Sequence, residues 1–239
     1  MTVNDAAGDA PAYPNYADFD PIIDVARLRS LDAYIRERLE RRLAAERDLA
    51  FYTGPFVLGE GAATVPGSRM VYLSRAEGPD NYYDLDRCER WQPSEEAEEF
   101  AELMDFIATL PFKARGRMLI IYDPEGRAVT AHRDHDSVDL SHEFLWLRTN
   151  SDKPFYMLNP DSGERRYVTG LSAWFDSVNQ YHGADATGEL AWSIRIDGHF
   201  TDELRRLIPD APHNRASRPA LFAGREAEAA RTLREGAQG

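Results

Sequence analysis

The polar and apolar positions divide the chain into three stretches. Between residues 20 and 49, Val25, Leu28, Leu31, Ile35, Leu39 and Leu43 recur every three or four residues, with Arg and Glu between them. That is the period of an amphipathic helix with one buried face. Asp20-Pro21 offers its start, an N-cap residue followed by proline at the first helical position. Residues 51–92 carry Gly, Pro and short β-rich runs, Phe56–Leu58 and Met70–Leu73, which predict brief strands between loops. A second helix is predicted from Ser94, with Phe100, Leu103, Met104, Ile107 and Leu110 on one face and Pro111 ending it. The glutamates at its start lie where the helix dipole favours negative charge.

From about 116 to 200 the pattern is nearly all strand: Arg117–Tyr122, Ala128–Ala131, Glu143–Thr149, Phe155–Leu158, Arg165–Thr169, Ser172–Asp176 and Leu190–Asp197. Turn-forming runs separate them, such as Asp123-Pro124-Glu125-Gly126 and Asn159-Pro160-Asp161-Ser162-Gly163. Many short strands at close spacing predict a sandwich, jelly roll or barrel. After 200 the chain returns to helix, with Thr201 as N-cap, and a last polar helix is expected near 224–235. Residues 1–19 read as a flexible tail. Residues 20–239 read as one domain, with a helical and short-strand part over 20–114, a β core over 115–200 and C-terminal helices over 201–239.

Charge narrows the function. With 28 Lys and Arg against 41 Asp and Glu, the net charge is −13, which repels phosphate backbones and anionic membranes. A general nucleic-acid binder and a membrane-docking protein are therefore not expected. No apolar run approaches the ~20 residues of a membrane span, so the expectation is a soluble, cytoplasmic protein. The single cysteine, Cys88, excludes an intramolecular disulfide framework and a Cys-based zinc cluster.

The candidate chemistry lies in the histidines. Five of the six fall between 132 and 199. In an extended chain residues i and i+2 point to one side, so His132 and Asp134 present an imidazole and a carboxylate to one point, with Arg133 facing away. His182, just after the strand around Trp174, would reach the same mouth of a barrel. Two histidines and one carboxylate with open positions opposite form the ligand set of non-haem Fe(II) oxygenases.

The residues around them resemble a family. Pro124-Glu125-Gly126-Arg127-Ala128-Val129-Thr130-Ala131-His132-Arg133-Asp134 resembles a hairpin of the Fe(II)/2-oxoglutarate oxygenases of the aspartyl/asparaginyl β-hydroxylase and bacterial proline 3-hydroxylase type. Leu147–Asn150, Trp174–His182 and Ser193–Asp197 resemble the segments that follow it, in order. The resemblance covers about residues 115–200. It implies a mainly β fold with flanking helices and a double-stranded β-helix core, jelly-roll and cupin-like. It implies Fe(II) held by His132, Asp134 and His182, with 2-oxoglutarate and O2 as cosubstrates. The implied reaction is hydroxylation, or another oxidation, of an unactivated C–H bond of a small molecule such as an amino acid or natural-product intermediate.

One departure stands out. The family usually carries an Arg about ten residues after the distal His to hold the far carboxylate of 2-oxoglutarate, and here that stretch reads Leu190-Ala191-Trp192. Arg195, with Ser193 as a second donor, is the first replacement expected, and Arg148 the second. His135, Asp136, Tyr122 and Trp146 are expected near the substrate. Two other readings stay open: a cupin-like metalloenzyme without 2-oxoglutarate, and a non-catalytic metal-binding β-sandwich.

Overall fold

A computed structural model describes residues 13–48, 67–77, 88–134, 143–177 and 179–209. In chain order the strands are β1 (Tyr16–Asp18), β2 (Arg69–Tyr72), β3 (Ser74–Ala76), β4 (Trp91–Pro93), β5 (Phe112–Asp123), β6 (Val129–His132), β7 (Phe144–Leu147), β8 (Phe155–Leu158), β9 (Arg165–Tyr167), β10 (Ser172–Phe175), β11 (Tyr181–Ala184) and β12 (Ala191–Phe200). Helices α1 (Val25–Ser30) and α2 (Asp32–Ala44) precede β2. Helices α3 (Glu96–Glu99) and α4 (Ala101–Ala108) precede β5, and α5 (Asp202–Arg205) follows β12.

A six-stranded sheet has the order β1-β10-β7-β12-β5-β2 and a four-stranded sheet the order β6-β11-β8-β9. Their strand pairs are antiparallel. From β5 to β12 the chain passes back and forth between the two sheets. This winding is the double-stranded β-helix, and the fold is mainly β with flanking helices.

Period-two alternation decides what each face meets. On the six-stranded sheet, Ile120, Leu145, Leu147, Ile194 and Ile196 share one apolar cluster with Leu28, Leu31, Ile35 and Leu39 of the first helices and with Leu103, Phe106 and Ile107 of α4. Burying each such side chain stabilises the fold by ~1.5–3 kcal/mol. The opposite face turns inward. There Phe144 and Phe175 pack with Met157 of the other sheet, and Trp146 stacks on Phe155 with ring centroids 4.6 Å apart.

The first helix differs from its expected form. Asp20 does not cap it. Its carboxylate instead accepts hydrogen bonds from the backbone of Leu171 and Ser172 and from the Ser172 hydroxyl, tying the N-terminal segment to β10. Asp24 caps α1 by accepting from the Arg27 backbone N–H at 2.9 Å. The helical stretch divides at Leu31, and Asp32 at the start of α2 accepts from Thr149 and Asn150. The expected tail also contributes structure, because Tyr16–Asp18 pairs with β10 as an edge strand. Phe56–Leu58 and the helix expected near 224–235 lie outside the described residues.

Candidate metal centre

Gly126 makes the hairpin that delivers the first two site residues. Its φ is +52°, the left-handed region that glycine adopts without strain, and a Cβ there would sit 2.2 Å from the Glu189 carbonyl oxygen. Asp123 fixes the same turn by accepting from the backbone N–H of Glu125 and Arg127. The chain then enters β6 and reaches His132. Two residues on, the Asp134 N–H donates to the Ser177 carbonyl at 2.7 Å. Arg133 lies over the Tyr181 ring, away from the cavity, as the alternation requires.

His182 does not sit in the loop after a strand. It lies on β11, a strand of its own, directly opposite His132 on one side and Met157 on the other. Gly183 beside it has no room for a side chain, since a Cβ would lie 2.7 Å from the Tyr156 hydroxyl and from the Val129 carbonyl.

The nearest carboxylate oxygen of Asp134 is 3.7 Å from His132 Nε2 and 3.6 Å from His182 Nε2. The three ligand atoms lie within 4.8 Å of one another. Each imidazole is oriented from behind. His132 Nδ1 donates to the Thr130 carbonyl at 2.8 Å, and His182 Nδ1 donates to the Gln180 carbonyl at 3.0 Å. A carbonyl can only accept, so each Nδ1 carries the proton and each Nε2 lone pair faces Asp134. Burial, reinforced by the neighbouring His182, keeps the His132 imidazole below its ordinary pKa. Burial alone would raise the Asp134 carboxyl. The groups around it, His182 first and then the Arg195 guanidinium and His132, outweigh burial and hold the carboxyl well below its usual range.

The cluster opens into a cavity of about 370 Å³ between the sheets. Phe144, Trp146, Phe155 and Phe175 form much of its wall, and three cations line it. Arg195 lies level with the cluster, its Nη1 3.7 Å from Asp134 Oδ2. Arg148 and Lys153 lie at the other end. Arg195 pairs in register with Trp146, so Arg148 is two residues farther along, about 7 Å. Lys153 lies in the loop before β8, two residues ahead of Phe155, which pairs with Ala184. Arg148 donates to the carbonyls of Gly170, Lys153 and Val168. Among the described residues no carboxylate lies within ion-pair distance of it. Lys153 Nζ stands 3.8 Å from Asp123 Oδ2, and burial pushes its pKa down against the pull of that carboxylate.

The structure therefore brings together His132, Asp134, His182, Arg195, Ser193, Arg148 and Trp146 around one cavity. Tyr122 touches the same cavity, but its hydroxyl donates to Asp48 at 2.7 Å on the helical side of β5 and is not available to a cosubstrate. Register places it there, and the sequence alone left its face open. His135, Asp136 and His142 lie outside the described residues. The sequence reading missed Lys153, which sits in a run of turn residues, Asn150–Pro154, with no signal of its own.

No family model matches the chain, and no curated protein matches it. Solved structures do. A prolyl-4-hydroxylase of Pseudomonas putida aligns with a TM-score of 0.43 and 13% identity over 79% of this chain and 94% of that one. A prolyl hydroxylase of Trichoplax adhaerens, in complex with a hypoxia inducible factor peptide fragment, gives 0.48 and 10% over 83% and 89%. The non-heme alpha ketoglutarate dependent epimerase SnoN from nogalamycin biosynthesis gives 0.41 and 16% over 77% and 76%. No helix among the described residues is long and apolar enough to cross a membrane.

Proposed function

We propose that the protein is an Fe(II)- and 2-oxoglutarate-dependent oxygenase that oxidises a C–H bond of a small molecule. The observation that carries this reading is the convergence of two locked imidazoles and one carboxylate at one end of a cavity whose other end is cationic. The donor set fits the ion. Donors 3.6–3.7 Å apart can both reach a common point at ~2.1–2.2 Å, and two nitrogens with one carboxylate leave positions open for further ligands. The centre would supply O2-dependent oxidation coupled to decarboxylation of 2-oxoglutarate to succinate and CO2.

The remaining work belongs to the chain. Thr130 and Gln180 hold the tautomers of the two histidines. The aromatic wall excludes water from the reacting end. Arg148 and Lys153, with Ser193 of β12, would hold the far carboxylate of a dicarboxylate whose near end lies at the cluster. This reverses the order expected from sequence. Arg195 is level with the cluster rather than beyond it, and its charge is already met by the Asp197 carboxylate on its own strand at 2.9–3.0 Å, whereas Arg148 is held only by neutral carbonyls. A cavity of about 370 Å³ suits a cosubstrate and a small molecule.

Anaerobic titration of the protein with Fe(II) and then 2-oxoglutarate tests the reading. A weak visible charge-transfer band is expected, and succinate should form once O2 and a substrate are supplied. Metal binding with neither band nor succinate would point to a metalloenzyme that does not use 2-oxoglutarate. No metal binding at all would end the reading.

A further inference from the structure

Asp134 offers its two oxygens to different neighbours. Oδ1 is the atom nearest both Nε2 atoms, at 3.7 and 3.6 Å, whereas Oδ2 faces Arg195 Nη1 at 3.7 Å. Arg195 is itself held from behind. Its Nε donates to Asp197 Oδ1 at 3.0 Å, and its guanidinium lies over the Phe144 ring, 4.0 Å from the centroid. Asp197 is wholly buried, and its second oxygen accepts from Arg117 Nε at 3.0 Å. A line of alternating charges, Arg117–Asp197–Arg195–Asp134, thus runs along β5 and β12 to the metal cluster. The Arg195 Nη2 atom is buried and 2.9 Å from Asp197 Oδ1, but it makes no well-aligned hydrogen bond. Part of the fork is therefore unspent.

We infer that Arg195 is a positioning residue for the metal carboxylate, holding Asp134 Oδ2 so that only Oδ1 is turned to the two histidines. This rests on the metal reading given above. A carboxylate free to rotate would turn Oδ1 away from the two Nε2 atoms and lose the common point at which an ion is gripped. An arginine fixed by a buried aspartate prevents that, because its planar fork has no freedom to follow the rotation. The role also accounts for the location of the guanidinium, beside the cluster and short of the far end of the cavity.

The test uses Mn(II) and the whole chain. Free Mn(II) is counted by its electron paramagnetic resonance signal as it titrates metal-stripped wild type, Arg195→Met and Arg195→Lys. Circular dichroism and melting temperature are recorded beside each titration. The dissociation constant for Mn(II) should rise ~10–100-fold in both variants, the range seen when an outer partner of a metal ligand is lost. The dissociation constant for 2-oxoglutarate at saturating Mn(II) should stay unchanged. Lysine keeps the charge but cannot bridge Asp197 and Asp134 together, so it should not rescue, and it decides the matter if Arg195→Met fails to fold. Unchanged Mn(II) affinity with weakened 2-oxoglutarate binding would overturn the inference and return Arg195 to the cosubstrate. Wild type that binds no Mn(II) would instead remove the metal reading on which the inference stands.

Discussion

His132, Asp134 and Arg133 behave as the two-residue period of an extended chain demands, with two side chains on the cavity and one outside it. That logic also bears on the cations at the far end. If Lys153 and Arg148 hold the far carboxylate, Lys153→Met should weaken 2-oxoglutarate binding by ~2–5 kcal/mol, the cost of leaving a desolvated charge unpaired. Mn(II) binding should be unchanged. Calorimetry on the Mn(II)-loaded protein reads both, and equal affinities for 2-oxoglutarate in wild type and variant would exclude Lys153. The sequence made the three cluster residues legible because their types and spacing are restrictive. It ranked Arg195 before Arg148 and passed over Lys153. Rank depends on how far along the cavity each lies, and that is set by the register of β12 on β7 and of β8 on β11.

The elements that were hardest to read are short strands whose pairing is long-range. Phe155–Leu158 is legible because it is an apolar run between turns. Tyr181–Ala184 contains a histidine and a glycine, has weak strand propensity, and exists because β6 and β8 flank it. Tyr16–Asp18 likewise becomes a strand by pairing with β10, helped by the grip of Asp20 on Ser172. Asp20→Ala should therefore destabilise the fold by ~1–3 kcal/mol, because two backbone donors and a hydroxyl lose their acceptor. Urea unfolding measures this, and a shift below ~0.5 kcal/mol would mean that the segment is not docked through Asp20. Gly183→Val should act on function as well. Its Cβ would have to displace Tyr156 or the Val129 carbonyl, and so would separate β6 from β11. Overpacking of this kind costs ~1–3 kcal/mol. Here it should also abolish Mn(II) binding by parting His132 from His182, whereas retained binding would show that β6 can follow β11.

For the whole molecule, a buried carboxylate that ties α2 to the sheet makes stability depend on pH in a set direction. Arg42, buried on α2, donates to both oxygens of Asp48, and Tyr122 of β5 donates to the same carboxylate. Burial would raise the Asp48 carboxyl, but the hydrogen bonds from Arg42 and Tyr122 outweigh it and hold its pKa below the ordinary value. A depressed carboxyl stabilises the fold fully above its unfolded pKa of ~3.9, and that contribution is lost as pH falls through the folded value. Asp48→Asn should flatten the decline in melting temperature below pH ~4. A slope equal to that of wild type would show that other carboxylates govern acid unfolding. The helices as amphipathic units were legible from their period, but this network was not, since Asp48 follows α2 and meets Tyr122 74 residues away.

The pairing of β6 with β11 carries a mechanical consequence. β6 is an edge strand joined to its neighbour at only two register positions, with an irregularity between them. One of those positions joins the two histidines themselves. An ion gripped from both sides would add a third stitch at the open end of this seam, between residues 50 apart in the chain. The edge of the smaller sheet would then peel only when the metal left. Protease cutting near Arg133 should slow in proportion to Mn(II) occupancy, while cutting elsewhere proceeds at its usual rate.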